Sequence, residues 1–189
     1  MIRLETPRLI IRNWEDRDRD LFFRINSDEE VMRFFPFRRT RDEADAFLDS
    51  LRAGNEERGY GFAALEVKES GACAGFAGLY PSGPIPPRPA GATEIGWRLA
   101  PEFQGKGYVT EAGEAWLRFG FETLGLDEIV SFAVHDNHAS VGVMRRLGMR
   151  HVPGSDFDHP KVPDTHPALK RHVFYTLARD EWRKRQAAA

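Results

Sequence analysis

A single α/β domain spanning residues 1–189 is predicted, and three observations predict it. Residues 93–99 alternate in the two-residue period of a strand, and 60–67 and 72–80 read as strands flanking the turn-like Glu69-Ser70-Gly71. Ala44, Phe47, Leu48 and Leu51 fall at helical spacing, as do Ala112, Ala115, Trp116 and Phe119. Between strand and helix lies Gln104-Gly105-Lys106-Gly107-Tyr108-Val109. Two glycines there let the backbone turn tightly and approach a ligand, and the helix that follows opens with unpaired N–H groups and a partial positive charge. Such a junction suits a phosphate or pyrophosphate.

The elements follow in order. Arg8 to Arg12 reads as a first strand, and Leu21, Phe22 and Ile25 have helical spacing. Ser27-Asp28-Glu29-Glu30 has the form of a capping box ahead of Val31, Phe34 and Phe35; Thr40-Arg41-Asp42-Glu43 is a second box, opening a helix that Gly54 can end. Five of the twelve prolines lie between Pro81 and Pro89 and form a stiff loop. In 93–99, Ile95, Trp97 and Leu99 take one face, and Glu94, Gly96 and Arg98 the other. After the glycine loop a well-buried helix runs to about Leu124, and Ile129 to Val134 is a further strand. Asp136 or Asn137 caps a short helix with Val143, Met144 and Leu147 as its core stripe and Gly148 as its stop. A polar segment, Pro153 to Pro167, leads to a last strand over Val173, Tyr175 and Leu177 and a basic tail, Arg179 to Ala189.

Composition narrows the function classes. A formal net charge of −2 gives no electrostatic case for nucleic acid or an anionic membrane as the main partner. No stretch approaches the ~18 apolar residues of a membrane span. The single cysteine, Cys73, excludes an internal disulfide framework and points to a reducing compartment, so the cytoplasm is the expected location. His135-x-x-His138 lacks a further ligand set at informative spacing, so no metal is expected. Lys106 is not a P-loop lysine, because Gly107 rather than Ser or Thr follows it. Phe34, Phe35 and Phe37 beside Arg38, Arg39 and Arg41 either belong to the core or line an acceptor groove.

The segments EIGWRLAPEFQGKGYVTEA (Glu94 to Ala112) and VHDNHASVGVMRRLGM (Val134 to Met149) resemble the GNAT superfamily of acyl-CoA-dependent N-acetyltransferases. The opening TPRLIIRNW is similar to the branch that includes ribosomal-protein N-terminal acetyltransferases. The resemblance implies a GNAT-like mixed, mostly antiparallel twisted sheet, flanked by helices, whose central strands splay apart; here these are 93–99 and 129–134. It implies acetyl-CoA as cosubstrate, with pantetheine against backbone of Trp97, Arg98 and Leu99 and pyrophosphate on N–H groups of Gln104, Gly105, Lys106, Gly107, Tyr108 and Val109. Asn137 and Ser140 line the thioester side, while Arg145 or Arg146 either approaches the adenosine phosphates or simply faces solvent. An amine acceptor, small molecule or protein N-terminus, is implied as partner, and a homodimer is carried by the resemblance alone. Val109 departs from the usual Gly or Ala, Met149 from a common Phe, and Arg145 from a frequent acidic residue; no tyrosine occurs between His138 and Met149.

An amine attacks a thioester only when neutral, yet free α-amines have pKa values of about 7.7–8.0 and lysine amines about 10.4, so a base is needed. Glu94 is the first candidate, with a surface or ion-paired strand glutamate as the plainer reading, and His172 is held in reserve. Ser140 is the candidate partner of the leaving thiolate; a capping hydroxyl is its rival reading, and Tyr108 and Tyr175 stand as further acids. An acetyl-CoA-dependent N-acetyltransferase working by direct attack in a ternary complex is the expected function. The alternative is an acyl-CoA-binding regulatory module without catalysis.

Overall fold

The computed structural model describes Arg3 to Ala188; the ends of the 1–189 span and of the basic tail lie outside the described residues. Residue contacts divide the chain into two compact units. One holds the chain up to Tyr80 with Gly96–Ala115, and the other Pro81–Ile95 with the chain from Trp116 onward. The fold is mixed α/β, with an open and mostly antiparallel sheet.

In the first unit, strands β1 (Arg3–Glu5), β2 (Leu9–Arg12), β3 (Phe62–Val67) and β4 (Cys73–Pro81) pair antiparallel in that order. Strand β5 (Thr93–Leu99) begins in the second unit and ends in the first. Helices α1 (Arg19–Ser27) and α2 (Arg41–Arg58) supply Phe22, Ile25, Ala44, Leu48 and Leu51 to a core that includes Trp14, Ala64 and Phe76. Each large apolar side chain buried there contributes roughly 1.5–3 kcal/mol. Trp14 meets Phe22 edge-on, with centroids 4.8 Å apart, and its indole N–H donates to the Phe62 carbonyl at 2.9 Å. Arg12, almost fully buried, forks onto Asp18 at 2.7 and 2.9 Å and reaches Glu66 at 2.8 Å.

The Thr40 box forms as expected: Thr40 accepts from the Glu43 N–H and Glu43 accepts from the Thr40 N–H. Two other expectations are corrected. Gly54 lies inside α2, which continues to Arg58; Gly59, in the left-handed region at φ +77°, is the residue that stops it. Ser27 closes α1 by donating its hydroxyl to the Phe23 carbonyl, and a run of turns rather than a helix follows, in which Asp28 accepts from the Val31 N–H at 2.8 Å.

In the second unit, β6 (Glu128–Val134) and β9 (Arg171–Ala178) form a long antiparallel ladder, and β7 (Arg150–His151) and β8 (Phe157–Asp158) pair with β9. The polar segment thus contains a strand, β8, that it did not advertise. Helix α4 (His138–Arg146) follows β6, and the basic tail is helix α5 (Arg179–Ala187), seated by Trp182. Ile85 from the proline loop packs with Val130, Phe157 and Phe174, while Arg88 forks onto Glu128 at 2.9 Å through each of two nitrogens. Helix α3 (Tyr108–Arg118) ends in a wider π-type turn, Phe119–Thr123. Among the described residues, the ladder between β5 and β6 is a single parallel pair, Glu94↔Val130, as splayed central strands require.

Candidate functional site

The first unit carries the glycine loop. Gly105 and Gly107 sit at φ +71° and +80°, conformations that side chains with a Cβ rarely adopt. Together they aim the chain into the N-terminus of α3 at Tyr108. The first N–H groups of that helix have no partner within it, so the loop and the first turn offer a row of donors with a favourable dipole. Gln104 stands apart from this row, which corrects its expected role: its own N–H is taken by the Pro101 carbonyl at 3.1 Å. Its side chain instead donates to the Leu99 carbonyl at 3.1 Å, pinning the end of β5 to the loop.

Side chains far away in sequence brace the loop. Arg8 donates from Nη1 to the Lys106 carbonyl at 2.9 Å, and its guanidinium lies over the Tyr108 ring, 4.8 Å from the centroid. Glu111, in the first turn of α3, accepts from the Thr6 hydroxyl at 2.6 Å and from Arg8. Nothing in the local pattern of residues 104–111 signals these partners. Trp97 and Leu99 flank Arg98 on β5, and the Arg98 side chain donates to Asn26 Oδ1 at 2.5 Å.

The second unit carries Glu94, Asn137, Ser140 and His172. Burial pushes the Glu94 carboxyl up to about 7, and the charge of Lys161 tempers that rise. No ion pair involves Glu94 among the described residues, and the residue is half-buried. Just beyond it the Ser131 hydroxyl donates to the Ile95 carbonyl at 2.9 Å, tying β5 to β6. A carboxyl poised near neutrality suits a general base.

His172 occupies another row of the same sheet. Glu94 pairs with Val130, whose partner on β9 is Thr176, whereas His172 pairs with Val134. Those rows are separated by four residues of β6, or about 13 Å. His172 donates its Nδ1–H to the Lys170 carbonyl at 2.9 Å, because a carbonyl can only accept; burial holds the ring below its usual pKa. His159, whose ring centroid lies 4.9 Å from that of His172, is pulled down to about 4 by burial, then by His172 and Lys161. Both rings are neutral at pH 7.

Asn137 caps α4 by accepting the Ser140 N–H at 3.1 Å. The cap therefore uses the Ser140 backbone, and no hydrogen bond occupies the Ser140 hydroxyl among the described residues. Tyr175 is buried against His151, with ring centroids 5.3 Å apart. Arg145 and Arg146 are exposed on α4. His135 pairs with Asp136, and among the described residues no cluster of three potential metal ligands occurs. Burial pushes the Cys73 thiol up to about 12, a state unsuited to nucleophilic attack. No described helix is long and apolar enough to cross a membrane.

A family model described as Acetyltransferase (GNAT) domain matches residues 8–150. The chain is 28% identical over 186 residues to the uncharacterized N-acetyltransferase YnaD of Bacillus subtilis, covering 96% of this chain and 99% of that one. It is 30% identical over 195 residues to the FsC-acetyl coenzyme A-N(2)-transacetylase of Aspergillus fumigatus, covering 97% of this chain and 79% of the relative. Among solved structures, a GNAT-family acetyltransferase from Bacillus anthracis superposes with a TM-score of 0.78 at 23% identity, over 95% of this chain and 100% of that chain.

Proposed function

The chain belongs to the GNAT family of acetyltransferases, and from that premise we propose that it moves an acetyl group from acetyl-CoA to a primary amine by direct attack in a ternary complex. The observation that carries this reading is the glycine loop, whose left-handed Gly105 and Gly107 open the N-terminus of α3. N–H groups from Gly105 to Val109 hold the pyrophosphate, and the backbone of Trp97 to Leu99 holds the pantetheine. Val109 keeps its N–H, so the side-chain departure there leaves this donor in place. Asn137 and Ser140 face the thioester end.

Glu94 takes the proton of the incoming ammonium. The freed amine nitrogen bonds to the acetyl carbon while a backbone N–H near Leu99 receives the charge on the carbonyl oxygen. As the carbon–sulfur bond breaks, the Ser140 hydroxyl gives a proton to the leaving thiolate and takes in its place the second proton that the nitrogen loses as the amide forms. Glu94 fits its role because its carboxyl, raised to about 7, is ionised in part at neutral pH and still basic enough to accept. No covalent enzyme intermediate is needed, in keeping with the raised thiol of Cys73.

Thiol release from acetyl-CoA across a panel of primary amines tests the proposal. Turnover with at least one amine, dependent on Glu94, is expected. Tight acetyl-CoA binding with no turnover across the panel would leave only a binding module.

A further inference from the structure

Five arginines of the first unit lie at or near the segment between α1 and α2, and they fall into two classes. Arg33 pairs with Glu30, Arg38 with Glu29, and Arg41 with Asp20 and Asp45. Arg39 and Arg98 have no carboxylate partner among the described residues. Both are partly buried, and in both the Nε is buried without any hydrogen-bond partner. Holding a guanidinium away from water with no counter-charge is costly, and a sequence this rich in Asp and Glu had acids to spend on them.

Each of the two is held in place with care. Asn26, fully buried on α1, accepts the Arg39 backbone N–H on its main-chain carbonyl at 3.0 Å and Arg98 Nη1 on its side-chain oxygen at 2.5 Å. The Asn26 amide nitrogen in turn donates to the Phe22 carbonyl at 2.7 Å, which fixes its orientation. The Arg98 guanidinium lies 4.5 Å from the Phe35 centroid and 5.4 Å from that of Phe76; Arg39 lies 4.4 Å from Phe47 and 5.0 Å from Phe37. Aromatic rings thus lie against both cations, and a planar anion is the partner that a guanidinium in such a setting suits. Burial, and then the charge of Arg39, pulls the Arg98 guanidinium down to about 9, a further sign that a negative charge is missing. Beside them Phe35 and Phe37 are, among the described residues, the two large apolar side chains that remain exposed, at 38% and 43%.

We propose that Arg98 and Arg39 bind the carboxylate of an acceptor that carries it on an apolar or aromatic group, with Phe35 and Phe37 against that group. The inference rests on the acetyl-transfer reading for the word acceptor, since Arg98 is the middle one of the three β5 residues whose backbone is assigned to pantetheine. Carboxylate binding itself does not depend on that reading. A carboxylate takes two parallel N–H bonds from a guanidinium and supplies the charge that the pair lacks.

The test uses 3-phenylpropionate and its neutral counterpart 3-phenylpropan-1-ol, neither of which has an amine to acetylate. Calorimetry on the full chain should give at least about tenfold tighter binding of the carboxylate. Arg39→Gln and Arg98→Gln should each remove that preference. Arg39 lies outside the strands, so Arg39→Gln decides the matter if Arg98→Gln does not fold. Equal affinity for the two probes in the unsubstituted protein overturns the proposal, as does a preference that survives Arg39→Gln. Kinetics with phenylalanine and phenethylamine form the second arm: Arg39→Gln should raise KM for phenylalanine and leave that for phenethylamine unchanged. A carboxylate preference in a protein that acetylates no amine supports the anion site and overturns only the acetyl-transfer reading.

Discussion

Arg8 grips Glu111 twice: its main-chain N–H donates to Oε1 at 2.8 Å and its Nε to Oε2 at 2.6 Å. The two residues are 103 positions apart, and the link joins the start of β2 to the first turn of α3. Burial opposes ionisation of Glu111, but the Thr6 hydroxyl and Arg8 outweigh it and hold the carboxyl below its usual value. The same Arg8 side chain reaches the Lys106 carbonyl, so the brace also sets the glycine loop. Glu111→Ala should therefore weaken acetyl-CoA binding about tenfold in calorimetry, the worth of one or two charge-assisted hydrogen bonds acting through loop order. Because the folded carboxyl is depressed, its contribution is present above the unfolded value of 4.5 and is lost as pH falls below it.

Gly107→Ala tests the loop itself. A Cβ there would stand 3.4 Å from Arg8 Nη2, and the backbone would have to hold φ +80° with a side chain, at a cost of about 1–2 kcal/mol. Acetyl-CoA affinity should fall about tenfold. Gly105→Ala meets no atom within 4 Å and should lose affinity through the backbone alone.

Asp18→Ala should be among the most destabilising single changes in the first unit. It leaves the Arg12 guanidinium, with its side chain only 9% exposed, to Glu66 and the more distant Glu15, and frees the Glu15 N–H. Loss of one partner of a buried pair costs about 3–5 kcal/mol, and the Glu66 contact should keep the loss near the lower figure. Urea unfolding monitored by the tryptophans measures it.

Ser140→Ala separates a chemical role from a structural one. The α4 cap uses the Ser140 N–H and the Asn137 side chain, both of which survive the substitution, so the melting temperature should hold. Turnover should fall about tenfold or more if the hydroxyl protonates the thiolate. Asn137→Ala should instead lower the melting temperature, since it removes the cap, worth about 1 kcal/mol.

Features written in neighbouring residues were legible in the sequence. The Thr40 box, the cap of α4 and the glycine junction each depend on residues within four positions of one another; the box and the junction form where the pattern places them, and of the two cap candidates, Asp136 and Asn137, it is Asn137 that caps. Features made by distant partners were not. Helix α5 has Trp182 as its one buried residue, too little periodicity to distinguish it from a basic tail. Strands β7 and β8 are two residues long and exist only because β9 offers an edge. Gly54 and Gly59 look alike as helix stops, and the choice falls to Gly59, where φ turns positive. Alternation placed Arg98 opposite Trp97 and Leu99, but the absence of a counter-ion shows only in three dimensions.

The pH profile of kcat/KM for Glu94→Gln against the unsubstituted protein tests the central claim most directly. A base raised to about 7 gives an acid limb centred there: activity climbs as pH rises through 7 and the carboxyl ionises. Glu94→Gln should abolish that limb, with a loss of about a hundredfold at pH 7 that narrows toward pH 9 as free amine becomes abundant, and with acetyl-CoA affinity unchanged. The same raised pKa means that ionising Glu94 costs stability as pH rises from 4.5 to about 7, so Glu94→Gln should melt higher at pH 8 and equally at pH 4. A pH profile with the same limb and the same height in both proteins would contradict the account.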